Sequence, residues 1–169
     1  SGARAHVEEA ISLEPDLGAH AVFQPYFGDA EFRAMARSGF RRSLARDSSQ
    51  PGIYRTLARW DLEEGRIGEA ARWLERAGDD LPMAEDPEWT RLAVRLALLR
   101  GRDPEAAALW RRYCNTQAWS RPALEAAAGF YLDSGRPQAA LDFLSRTRTL
   151  PEIPESVPLL EGRVHERLG

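Results

Sequence analysis

The sequence contains no lysine: all 23 of its basic residues are arginine. Codon usage in a GC-rich bacterial genome is one account of that bias. A selected guanidinium surface is the other, because arginine bonds carboxylate and phosphate bidentately and lysine does not. Cysteine is represented by Cys114 alone, which excludes an intramolecular disulfide and leaves the compartment open. His6, His20 and His165 lie far apart, and no His/Cys/Asp/Glu cluster has ligand spacing, so no metal is expected. Long hydrophobic runs are missing. The longest, near Leu92–Leu99, is broken by Arg95 and falls well short of the roughly 18 residues of a membrane span, so no direct membrane insertion is expected. No signal-peptide pattern is visible.

Other absences bear on function. β-Branched residues are sparse and no stretch alternates for long, which leaves little support for strands. The net charge of −3 lacks the basic excess of a general nucleic-acid binder, so nucleic acid is not an expected partner. No glycine-rich nucleotide loop, Walker phrase or nucleophile elbow occurs. The acidic pairs Glu8-Glu9, Glu63-Glu64 and Asp79-Asp80 read as solvated helix faces and turns. The sequence therefore assigns no catalytic residue, implies no cofactor and does not lead us to expect an enzyme.

What is present is a recurring phrase. Gly65-Arg66-Ile67-Gly68-Glu69-Ala70-Ala71 is followed by Gly101-Arg102-Asp103-Pro104-Glu105-Ala106-Ala107 and Gly135-Arg136-Pro137-Gln138-Ala139-Ala140. An interval of about 35 residues marks stacked structural repeats. In residues 51–84, Tyr54, Leu57, Ala58 and Asp61 form one helical stripe before Gly65, and Ala70, Leu74 and Ala77 form another after it. Residues 87–120 repeat this with Ala93, Val94 and Ala97, then Ala106, Trp110 and Tyr113. Residues 121–154 do so with Leu124, Ala127, Ala128 and Tyr131, then Ala140, Leu144 and Thr147. Glycine supplies the left-handed residue that ends a helix; prolines 82, 87, 122 and 151 punctuate the units.

This order of large, small and aromatic residues around a glycine, with a closing proline, resembles the tetratricopeptide repeat (TPR). Asp61 stands where that family prefers an aromatic, and Ala118 and Glu152 where it prefers proline. The resemblance implies an all-α fold, a right-handed superhelix of antiparallel helical hairpins (a TPR-like α-solenoid), over one domain spanning 1–169. The complete repeats would be 51–84, 87–120 and 121–154. Residues 1–16 resemble the second helix of a partial repeat, and 17–50 a degenerate unit. In that unit Pro25 and Gly28-Asp29 spoil the first helix, while a second is expected over Ala30–Ala45, with Phe32, Ala36, Phe40 and Leu44 on one face. Residues 155–169 form a terminal helix without a mate, its stripe being Val157, Leu160, Val164 and Leu168. Beginning on a second helix and ending on a first suggests a segment of a longer protein.

By the family's convention, groove-facing positions fall on Arg55 and Arg59 in one repeat and on Arg91 and Arg95 in the next. Each pair is spaced i, i+4, on one helix face. Two readings are open. The four arginines form an anion site for a protein or peptide partner, acidic segments included, or they are solvated and paired locally with Asp61, Glu63, Glu64 and Glu88. The lysine- and asparagine-rich clamp of chaperone-binding members is not matched, since Asn115 is the only asparagine. Trp89 is the tryptophan added to the candidate binding set; it and Trp119, near unit boundaries, are expected to be the most exposed of the five. Cys114 reads as a small buried hydrophobe. The expected function is a non-catalytic protein-interaction scaffold. The alternatives are a structural or regulatory module of a larger bacterial membrane or cell-envelope protein, and homo-oligomerisation through exposed terminal helices.

Overall fold

The computed structural model describes residues 2–13, 29–78, 85–150 and 154–168. Every regular element among them is a helix. The chain divides into two compact units, Ser1–Leu81 and Pro82–Gly169.

The first unit holds α1 (Gly2–Leu13), α2 (Ala30–Arg46), α3 (Pro51–Glu63) and α4 (Ile67–Gly78). Asp29 caps α2 by accepting the Phe32 N–H at 2.7 Å, which satisfies one of the donors a helix start leaves open. Phe32, Ala36 and Phe40 are buried, as the expected stripe requires, while Leu44 is half-buried. The expected first helix of the 17–50 unit lies outside the described residues, as do Pro82 and Pro151. α1 packs on α2. Their crossing is so close that a Cβ on Gly39 would sit 2.9 Å from the Glu8 carbonyl oxygen and from Ile11. Arg42–Glu8 and Arg46–Glu9 ion pairs flank that contact.

α3 packs on α4. Tyr54, Leu57, Ala58 and Asp61 are buried on α3, and Ala70, Leu74 and Ala77 on α4, the result of apolar residues recurring at helical spacing. Aromatic contacts continue the packing: Phe40 meets Trp60 at 5.9 Å between ring centroids, and Tyr54 meets Trp73 at 6.2 Å.

The second unit holds α5 (Pro87–Leu99), α6 (Asp103–Thr116), α7 (Arg121–Asp133), α8 (Pro137–Thr147) and α9 (Ser156–Leu168). One core runs through all five helices, from Val94 and Ala97 through Trp110, Leu124 and Leu144 to Val157 and Val164. Rings step through it from Trp110 to Phe130 (5.6 Å), Phe130 to Tyr131 (6.2 Å) and Tyr131 to Phe143 (6.2 Å). Ala93, expected on the inner stripe of α5, is half-buried. α9 was expected to lack a mate. It packs instead on both α8 and α7, burying Val157, Leu160 and Val164, and its stripe ends before Leu168, which is 45% exposed.

The repeated phrase produces one repeated turn. Gly65, Gly101 and Gly135 have φ of +73°, +69° and +68°, a region that costs other residues strain. The N–H of the next residue, always arginine, donates five residues back. Arg66 reaches the Asp61 carbonyl at 2.7 Å, Arg102 reaches Ala97 at 2.9 Å and Arg136 reaches Tyr131 at 2.8 Å. The carbonyl of the same arginine then accepts from the following helix, taking the N–H of Ala70, Ala106 or Ala140 at 3.0, 3.1 and 3.2 Å. One backbone unit thus closes one helix and opens the next. All three alanines are 0% exposed, where a larger side chain would push the paired helices apart. α6 ends without a glycine. Ala118 and Trp119 adopt φ of +48° and +55° there, and the Trp119 N–H donates to the Cys114 carbonyl at 2.7 Å.

Candidate functional site

Helical phase sets the direction of the candidate arginines. Arg55 and Arg59 sit beside the buried stripe of α3, and both are half-buried. Arg91 and Arg95 are exposed on α5. Arg91 pairs with Glu88 at 3.1 Å, one of the local partners the alternative reading named. The first pair belongs to the first compact unit and the second pair to the second.

Trp89 is not an exposed platform: it is 7% exposed. It stands in the first turn of α5, where Asp86 accepts the Glu88 N–H at 2.8 Å and the Trp89 N–H at 3.3 Å. The cap fixes the start of the helix, and the indole falls on its inward side beside buried Thr90 and Leu92. Trp119 is half-buried against the core of the second unit.

The densest polar constellation is one the sequence did not single out. Asp61 is 1% exposed, and a buried carboxylate is tolerated only when bonded and paired. Its Oδ1 accepts from Arg37 at 2.7 Å and from Arg66 at 2.9 and 2.6 Å, while Oδ2 accepts the Trp73 indole N–H at 2.8 Å. Arg33 bonds Glu63 at 2.7 Å and Glu64 at 3.1 Å. The guanidinium groups of Arg33 and Arg37 each lie 5.5 Å from the Trp60 ring centroid, within cation–π range. Burial alone would raise the Glu64 carboxyl, but bonds from Arg33 and Arg37 and the nearby charge of Arg66 hold it below its usual range. The available sequence signal was Arg33 and Arg37, spaced i, i+4 on α2.

Both Asp61 oxygens are engaged, by donors on α2, in the turn after α3 and on α4, so the carboxylate ties α2, α3 and α4 together. Burial pushes the Cys114 thiol up to about 12, which keeps it protonated and unreactive. Among the described residues no three His, Cys, Asp or Glu side chains gather as around a metal ion, and no helix is long and apolar enough to cross a membrane. Arg136 pairs with Asp103 and Arg148 with Glu161, so much of the guanidinium surface is internally paired. No family model, curated protein or solved structure matches the chain.

Proposed function

We propose that the chain is a non-catalytic protein-interaction scaffold of TPR type. Its helices would stack as antiparallel hairpins in a right-handed superhelix and hold a partner segment against first-helix faces. The observation that supports this most directly is the hydrogen-bonded turn repeated at Gly65, Gly101 and Gly135. Identical turns at nearly constant spacing generate hairpins of one geometry, and such hairpins bury their faces by stacking on their neighbours. The partner would be an acidic protein segment. Arg55 and Arg59 on α3, and Arg91 and Arg95 on α5, present guanidinium pairs at i, i+4 spacing suited to carboxylates.

The test is binding of a glutamate-rich peptide to the full chain at low and high salt. Affinity falls with salt and is lost when Arg55, Arg59, Arg91 and Arg95 are all replaced by alanine. A quadruple variant that binds as well as the parent refutes the groove.

The pairing of Arg33, Arg37, Arg66 and Arg136 within the chain favours a second reading. There the repeats are a structural or regulatory module of a larger bacterial membrane or cell-envelope protein. In that case neither the parent nor the variant binds the peptide.

A further inference from the structure

Most arginines of the first unit have carboxylate partners. Arg33, Arg37, Arg42, Arg46, Arg66 and Arg72 are all ion-paired. Arg41 on α2 and Arg76 on α4 have no such partner among the described residues, and both open onto the same cleft of about 440 Å³. Leu44, Tyr54 and Trp73 form its apolar part, the exposed Ser48 adds a hydroxyl at the rim, and among the described residues no carboxylate lines it.

The carboxylates that line a neighbouring hollow together with Arg41 are already engaged. Asp61 and Glu64 are held by Arg33, Arg37 and Arg66, and Glu69 is held by Arg72 at 2.8 Å. Glu75 lines an adjoining hollow beside Arg76 and not this cleft. The Arg76 guanidinium lies 5.9 Å from the Trp73 ring centroid. A guanidinium stacked on a ring keeps its N–H edges available for an oxyanion.

We propose that this cleft is a binding site for a peptide carboxylate flanked by an aliphatic or aromatic side chain. Arg41 and Arg76 take the carboxylate, Ser48 adds a hydrogen bond, and the neighbouring side chain lies on Leu44, Tyr54 and Trp73. Two guanidinium groups without a carboxylate partner among the described residues, beside the apolar side chains of the cleft, call for one anion and one apolar group on the same ligand. The cleft includes neither Arg55 nor Arg59, so this site stands independently of the groove.

The probe is N-acetyl-Leu-Glu-Phe with a free terminal carboxylate, titrated into the full chain and followed by amide and arginine side-chain NMR signals. Binding shifts Arg41, Ser48 and Arg76, and weakens about tenfold or more in the Arg41→Gln, Arg76→Gln double variant. It is unchanged in the Arg55→Ala, Arg59→Ala variant, which separates its failure from that of the groove. The C-terminal amide of the probe distinguishes a chain-end carboxylate, for which binding is lost, from a side-chain carboxylate, for which it persists. Three results overturn the proposal: no shift in the parent protein, full binding by a folded glutamine double variant, or an equal response to inorganic phosphate or a single-stranded RNA oligomer.

Discussion

Arg66 donates two hydrogen bonds to the buried Asp61 carboxylate, at 2.9 and 2.6 Å, while its own backbone N–H donates to the Asp61 carbonyl at 2.7 Å. The residue that completes the first turn therefore also neutralises the charge inside it. In the other two turns the acceptor positions are Ala97 and Tyr131, so side-chain pairing of this kind is particular to the first.

Replacing Asp61 by alanine leaves the Trp73 indole N–H without its acceptor and removes one of the two carboxylates that pair with Arg37, Glu64 being the other. The expected loss is about 3 kcal/mol or more of unfolding free energy, read by urea denaturation. Arg66→Ala costs much less, about 1 kcal/mol, because the Arg66 side chain is 43% exposed. Equal losses for the two would show that Asp61 is not the centre of the network.

Glu64 gives the first unit an acid limb. Its folded carboxyl is held below the ordinary value of 4.5, so the stability it contributes is present above that value and is lost as pH falls through the lower folded value. Unfolding midpoints measured from neutral to acid pH fall in this range for the parent and fall less steeply for Glu64→Gln. Superimposable profiles would remove Glu64 from the acid response.

Gly39→Ala forces a methyl group into the α1–α2 crossing, against the backbone of Glu8 and the side chain of Ile11. Overpacking of this kind costs about 1–3 kcal/mol. Hydrogen exchange over residues 2–13 accelerates, while that of the second unit is unchanged. Unaltered protection of α1 would mean the crossing is looser than its geometry.

The turns offer a matched pair of opposite sign. No atom lies within 4 Å of a Cβ built on Gly101, so Gly101→Ala carries a purely conformational cost of about 1 kcal/mol. Ala118→Gly relieves a φ of +48° and raises the thermal midpoint by a gain of about the same size. A destabilising Ala118→Gly would mean that its methyl packing outweighs the backbone strain.

Local rules made the turns and stripes legible. Glycine after an amphipathic run, proline at a helix start and apolar residues at three-and-four spacing act within a few positions. These place α2 through α8 close to where the structure has them. The contacts that decide the site are different in kind. Asp61 is satisfied by Arg37 across a helix boundary, Gly39 matters because α1 crosses there, and α9 finds its mates on α7 and α8. Trp89 was misjudged for the same reason: position near a unit boundary suggested exposure, whereas its neighbours in space bury it.

The repeated turn is built from main-chain atoms, with the arginine N–H facing one helix and its carbonyl facing the next. Its demands on sequence are a glycine and, four residues beyond the arginine, a small residue. Outward positions on either helix can then drift without disturbing the hinge. Inheritance can diversify the outward surface of each hairpin while copying how it folds, and an engineer could randomise those same positions with the joint held constant.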